Sequence, residues 1–379
     1  MGGRPDAWAP MGRPLGAHDW VDCRPMRSPE RAQLHPIAFG AALALLAALS
    51  FGATTPLVER AGRGLGPLTT AALLYAGAAL SAALLGRLWP AEGAPLLATH
   101  RRRLLAVAFF GAGVAPTLLA WGLQRTGGTT GSLLLNLEAV FTVLLAWAVY
   151  REPIGSRVRW ALGAMALGGV ALGLDAAAEA TFSLLGTLAV AGATLSWGLD
   201  NTLTRGLSEQ NPVAVVAGKG ALGAVLTGAL ALAFAEPAPG LPAAAALLAC
   251  GATGYGLSLR LYLRAQRHIG AARTGSIFAL APFVGAALGW ALGDRALGSL
   301  TLGAAGLFGL GVYLHVTERH AHPHVHPPLL HEHPHRHDDG HHDHVHEPPV
   351  EGEHTHMHAH EMLEHTHEHA PDFHHDHAH

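Results

Sequence analysis

Read for hydrophobic and polar positions, the chain is a succession of ten apolar runs separated by short polar segments. They fall at roughly Pro36–Leu57, Pro67–Leu88, Leu104–Leu123, Thr129–Tyr150, Val158–Leu174, Leu184–Leu203, Pro212–Ala235, Pro242–Leu261, Thr274–Leu292 and Leu297–Val316. A bilayer core needs about 20 mostly apolar residues per helix, so each run predicts a membrane-spanning helix. The runs are built mainly from Ala, Leu, Gly and Val. Small residues let helix backbones approach closely in lipid, where burying apolar surface gives no drive. Residues 1–35, before the first run, are rich in Pro, Arg and Gly, and residues 317–379 show no apolar period. Both are expected to be disordered, as a cytoplasmic N-terminal segment and a His-rich tail. The pattern therefore predicts an all-α integral membrane protein with ten transmembrane helices and disordered tails. No cleavable leader is expected, because the first run follows about 35 mostly polar residues, unlike a signal peptide; Met26 is an alternative start to Met1.

The runs form two sets of five, at residues 36–174 and 184–316, and the sets resemble each other. Leu49–Leu57 (LSFGATTPL) aligns with Leu195–Leu203 (LSWGLDNTL). The stretch from Gln124 (QRTGGTTGSLLLNLEAVF) aligns with that from Gln266 (QRHIGAARTGSIFALAPFV), Trp147 falls near Trp290 and Gly155 near Gly298. Five spans is an odd number, so the second set enters from the opposite side. That is an inverted-topology repeat, an arrangement of secondary transporters that places the substrate site between the halves.

Charge orients the chain. With the N-terminus inside, 17 arginines (Arg4 to Arg31, Arg87, Arg101–Arg103, Arg151, Arg157, Arg159, Arg205, Arg260, Arg264, Arg267, Arg273) flank the inner ends and four (Arg60, Arg63, Arg125, Arg295) the outer ends. This positive-inside bias predicts a multi-pass protein of a bacterial inner membrane with both termini cytoplasmic. Only 13% of residues are charged and the formal net charge is −3, and no basic stripe suggests nucleic acid as a partner. Cys23 and Cys250 are isolated, which excludes a disulfide framework or a CxxC metal site. The spans carry no Ser/His/Asp, HExxH or paired-carboxylate arrangement, so an enzyme is not expected. There is no G-x-x-x-x-G-K-[ST], so the chain is not itself an ATP-driven pump.

A few polar residues inside the runs carry the candidate chemistry. Glu138 stands in the fourth run, where the second set has Pro282. An acidic residue inside a span is expensive and is by default a functional-site candidate. Burial favours its protonated form, so it suits proton coupling or substrate binding; the competing reading is a carboxylate that fixes helix packing. Asn136, two residues earlier, faces another direction and is expected to bond across to another helix. Lys219, the chain's one lysine, either snorkels to an interface or is a fixed cation that pairs with Glu138 or receives an anionic group. Asp200 and Asn201 stand where the first set has Thr54 and Thr55, near an inner helix end, either lining the cavity or wet and structural. Trp197, with Trp121, Trp147 and Trp290, is a pocket-lining candidate or an interfacial anchor; Tyr75, Tyr255 and Tyr262 are weaker candidates.

From His320 onward the composition changes: 23 of the 28 histidines lie there, many spaced one residue apart with Asp and Glu between them. Imidazole binds Zn, Ni, Cu and Co. The expected ligands are His331, His333, His335, His337, His341, His342, His344, His346, His354, His356, His358 and His360, in many weak, exchanging sites. The tail feeds, senses or buffers metal, or responds to pH.

On the Ser-Phe-Gly and Ser-Trp-Gly signatures of spans one and six, the Leu135–Phe141 run (LNLEAVF), Arg151-Glu152 and Leu280–Val284 (LAPFV), residues 37 to 316 resemble the EamA branch of the drug/metabolite transporter superfamily, in two copies. Family members often carry Pro after the buried Glu; here it is Ala139, which removes one reason for a helix break. The resemblance implies a ten-helix carrier of small metabolites working by alternating access, with no cofactor required. Its partners are the bilayer, a small-molecule substrate and divalent metal at the tail, with a homodimer left open. Such tails also resemble the His-rich segments of metal transporters, so a divalent-metal carrier and a membrane-tethered metal reservoir are the alternatives.

Overall fold

The structure is a computed structural model that describes residues 36–88, 98–151, 154–179, 181–207, 210–294, 298–317, 320–326, 329–335, 354–360 and 363–369. The N-terminal segment, with Met26, lies outside the described residues. Twelve α-helices are described: α1 (Pro36–Ala61), α2 (Pro67–Leu88), α3 (Arg101–Ala108), α4 (Ala115–Leu134), α5 (Leu137–Tyr150), α6 (Ser156–Glu179), α7 (Thr181–Thr204), α8 (Pro212–Ala233), α9 (Leu241–Cys250), α10 (Ser258–Phe278), α11 (Ala281–Ala291) and α12 (Ser299–Val316).

Eight described helical stretches are long and apolar enough to cross a membrane. The expected fourth span differs: its first part continues from α4, and the apolar α5 is shorter. The expected sixth span is the 24-residue α7, whose C-terminal end carries Asp200 and Asn201. The outward faces fit lipid. Leu232, Leu241, Trp160, Val225 and Phe234 are all more than two-thirds exposed, on helices whose backbone polar groups are satisfied internally.

Inside, small residues set the helix spacing. A Cβ on Gly77 would collide with the Leu248 carbonyl and one on Gly251 with that of Leu74, so α2 meets the α9 region backbone to backbone. Gly168 packs on Phe308 and Gly311 on Met165, joining α6 to α12. Leu74, Leu119, Leu123, Val190 and Phe308 are fully buried in the main core.

Three irregularities occur twice at matching places. A π-helical turn joins α3 to α4 at Phe109–Val114, and another joins α9 to α10 at Gly251–Leu257. Gly127 in α4 and Gly270 in α10 both have φ 79° and extended ψ, 170° and 164°. A left-handed φ is open to glycine without steric cost, and it divides each helix. Helical geometry breaks again between α4 and α5, and between α10 and α11.

The tail departs from the expectation of a segment without regular structure. Strand β1 (His320–His326) pairs antiparallel with β4 (Leu363–His369), and β2 (Leu329–His335) with β3 (His354–His360). The H-x-H-x alternation has no apolar period, but its period of two is that of a strand, and pairing satisfies the backbone.

Candidate functional site

The break before α5 builds the first part of the site. Leu135, Asn136 and Glu138 donate their N–H groups three residues back, to Ser132, Leu133 and Leu135 at 3.2, 3.2 and 3.1 Å. This tighter turn starts a new helix at Leu137 without Pro at position 139. Asn136 does not bond across to another helix as expected. Its buried side chain donates to the Leu133 carbonyl at 2.8 Å, because the turn leaves that oxygen within reach. Glu138 sits in the first turn of α5, where the helix dipole favours a negative group.

Glu138 is half-buried. Its Oε1 accepts from Asn201 Nδ2 at 2.8 Å, and the same amide lies 3.4 Å from the Thr142 hydroxyl. Asn201 belongs to α7 and is exposed, so the contact joins the two sets of helices beside open space.

Lys219 does not pair with Glu138 and does not run to an interface. It forms an ion pair with the buried Asp200, which also accepts from the Thr204 hydroxyl at 3.3 Å. Asp200 is thus a buried partner and not a wet helix end. Its carboxylate rests against Gly111, where any Cβ would collide with it. At the matching place in the other set, a Cβ on Gly254 would collide with Thr54. Burying a charge without a partner costs several kcal/mol, so Asp200 and Lys219 hold each other at α7 and α8. Lys219 reaches Glu138 electrostatically, but its ion pair is with Asp200.

A chain of six aromatic rings starts beside this charged group. Trp197 donates Nε1–H to the Gly111 carbonyl at 3.0 Å, and the Tyr75 hydroxyl donates to the same oxygen. The π-turn explains that acceptor, because its altered ladder turns a carbonyl toward side chains. Tyr255 lies 5.5 Å from Tyr75, 5.7 Å from Phe51 and 6.3 Å from Trp197, centroid to centroid. Phe278 bridges Phe51 and Tyr262 at 5.5 and 5.1 Å. Tyr75, Tyr255 and Tyr262 all lie within electrostatic range of Glu138. The arrangement offers one carboxyl not engaged in an ion pair, an amide and a set of π faces: groups that bind a proton, a cation or a flat apolar molecule.

The site thus unites Glu138, Asn201, Asp200, Lys219 and Trp197, and leaves Asn136 in the supporting turn. Trp147 and Trp290 are about half exposed on the outer surface, and Arg125 covers Trp121 with its guanidinium 3.6 Å from the ring centroid. Phe51, Phe278, Thr142 and Gly111 were not singled out from the sequence. Phe51 was within reach as the centre of the Ser-Phe-Gly signature; Gly111 was not, since nothing local marks a π-turn.

Among the described residues no group of three or more His, Cys, Asp or Glu is arranged to hold a metal ion. In the tail, the backbone register sets His331 opposite His358, His333 opposite His356 and His335 opposite His354, with His360 opposite Leu329. His337, His341, His342, His344 and His346 lie outside the described residues.

Comparison with known proteins agrees with this architecture. The chain is 29% identical over 195 residues to an uncharacterized transporter of Methanothermobacter thermautotrophicus, an alignment covering 48% of this chain and 55% of that protein. The chain therefore spans about half the length of that relative. A protein of known crystal structure superposes with a TM-score of 0.53 at 20% identity, over 72% of this chain and 97% of the other, which is likeness of fold alone. The sequence profile of the EamA-like transporter family matches twice, at residues 38–174 and 184–317. With most of the helical bundle matched, the chain is a multi-pass membrane protein that belongs to the EamA-like transporter family.

Proposed function

We propose that this protein is a secondary carrier of small metabolites that works by alternating access between two five-helix halves of opposite orientation. Ten spans result when α3–α4 up to Gly127 and the stretch from Gly128 to Tyr150 count as separate crossings, and α9–α10 likewise divides at Gly270. The arginine bias supports a bacterial inner membrane with both termini cytoplasmic. The observation that carries the reading is Glu138: a carboxyl at a mid-span helix start, half-buried, bonded to Asn201 of the other half and within electrostatic range of Tyr75, Tyr255 and Tyr262. Such a group takes a proton or a cationic part of the cargo in one state and gives it up in the other. Asp200 and Lys219 hold the fixed charge beside it, and the aromatic faces supply apolar contact.

The test compares cells expressing the full chain, Glu138→Gln, or a chain ending at Val316. Uptake and efflux of amino acids and related metabolites are measured alongside cellular Zn, Ni, Co and Cu. Metabolite flux present in the full chain and lost in Glu138→Gln supports the carrier. If only one metal's content responds, and Glu138→Gln abolishes that response, the cargo is that metal.

A second reading concerns the tail. The His-to-His register of β2 on β3 favours divalent metal bound by His331, His333, His335, His354, His356, His358 and His360, with His337, His341, His342, His344 and His346 adding ligands, as a regulator or buffer. Equilibrium dialysis against Ni and Zn tests it: several ions per chain for the full protein, and none for the chain ending at Val316.

A further inference from the structure

Two ends of the bundle, built from matching parts, differ in one respect. One end carries Arg63, Gly127 and Asp294; the other carries Gly270 and is where α12 leads toward the tail. Gly127 and Gly270 have the same backbone conformation and stand 143 residues apart, the offset that also relates Trp147 to Trp290 and Gly155 to Gly298. Their described surroundings differ. A Cβ on Gly127 would lie 2.6 Å from Asp294 Oδ2, whereas one on Gly270 would meet none of the described residues within 4 Å.

The contact at Gly127 belongs to a closed set. Asp294 Oδ2 accepts from the Thr129 N–H at 2.7 Å, and the Thr129 hydroxyl donates to the Asp294 carbonyl at 3.2 Å. Below it three helices meet almost without side chains between them: a Cβ on Gly128 would lie 2.9 Å from Pro56 of α1, and one on Gly289 of α11 would lie 2.8 Å from the Thr129 nitrogen. Above it lies a polar recess of about 350 Å³ bordered by Glu59, Arg60, Arg63 and Asp294. Helix α4 packs on both α1 and α11, but among the described residues α10 has no corresponding packing on α7 or α5. Ser132, one turn below Thr129, is buried; Asn201, toward the other end, is exposed.

We propose that Asp294 is the latch of a gate closed at the Arg63 end, and that this conformation opens toward the Gly270 end. The proposal rests on the alternating-access reading. A carboxylate receiving the freed N–H of a helix start is a charge-assisted bond reinforced by the helix dipole. It also links the two halves, because Asp294 follows α11 while Thr129 opens the stretch leading to Glu138. Glu236 makes a second link at the same end, accepting from Leu68 and Thr69 N–H of α2 at 3.1 and 2.7 Å.

The test uses the full chain with Cys23→Ser and Cys250→Ala and one reporter at a time, Ser132→Cys or Asn201→Cys. Maleimide labelling rates are compared for Asp294, Asp294→Ala and Asp294→Asn. Asp294→Ala is expected to speed labelling at Ser132→Cys about tenfold and to slow it at Asn201→Cys, the reciprocal change of a shifted two-state equilibrium. Asp294→Asn keeps an acceptor oxygen for Thr129 without the charge and is expected to fall between the parent and Asp294→Ala. Gly289→Ala, which pushes on the same closure, repeats the reciprocal change should Asp294→Ala not fold. Unchanged labelling at Ser132→Cys, or faster labelling at both reporters, overturns the latch. Unchanged labelling with flux lost in Glu138→Gln rejects the latch and keeps the carrier; reciprocal labelling with no flux for any solute keeps the latch and rejects the carrier.

Discussion

The two family-matched halves share a scaffold and differ in chemistry. Each has a π-turn, a glycine at φ 79° and a break at the same interval, and each rests the glycine of its π-turn against a polar residue of the neighbouring helix. The residues placed on this frame are not the same. Where one half has Glu138 the other has Pro282, and where one has Thr54 the other has Asp200. The duplicated features concern backbone geometry, which any helix of this bundle needs. The unduplicated ones are ionisable and expensive to bury, so the difference between the halves marks the site better than either half alone.

The largest test of that comparison is at the Glu138/Pro282 pair. Glu138→Gln is expected to reduce transport to background, and Pro282→Ala to leave a measurable fraction, because only the first removes a titratable group. Flux assays on both variants check it, and equal losses would mean that position 138 serves packing alone. Next is the Asp200/Thr54 pair. Asp200→Asn strands the partly exposed Lys219 and is expected to destabilise toward the low end of about 3–5 kcal/mol. Thr54→Val removes one hydroxyl bond to Ser50 and costs about 1 kcal/mol. Thermal denaturation in detergent separates them, and adding Lys219→Met to Asp200→Asn should recover most of the loss.

The shared scaffold makes the opposite demand. Gly111→Ala and Gly254→Ala force the same kind of overlap, against Asp200 and Thr54, and should destabilise about equally, by about 1–3 kcal/mol each. A large inequality in the melting shifts would show that the two π-turns are not equivalent supports. The smallest effect is at the surface. Glu59 hydrogen-bonds Arg63 and raises the guanidinium pKa above its usual value, but the Arg63 side chain is 64% exposed and solvent screens the pair. Arg63→Gln is expected to cost less than about 0.5 kcal/mol, a shift of about a degree or two.

Much of the helical frame was legible in the sequence because apolar runs of bilayer length leave few alternatives. Glu138 and Asp200 were equally legible, since an acidic residue inside such a run is conspicuous. Their partners were not. Asn136 turned to its own helix because a tight turn presented the Leu133 carbonyl, and no pattern of residue types announces such a turn. The break before Glu138 occurred without a proline for the same reason. Lys219 chose Asp200 over Glu138 because α8 carries it against α7, a pairing of helices that periodicity does not specify. The tail's period of two was visible, but its antiparallel register was not.

The sequence by itself determined a membrane-embedded, all-helical bundle in two similar halves, with one carboxyl set apart in the first, because hydrophobic length, internal similarity and charge cost are properties of the chain alone. Which carboxylate is neutralised, which rings gather near the charged group and which end of the bundle is closed were decided by the tertiary structure. Those outcomes depend on which helices touch, and contact between distant segments is a property of packing.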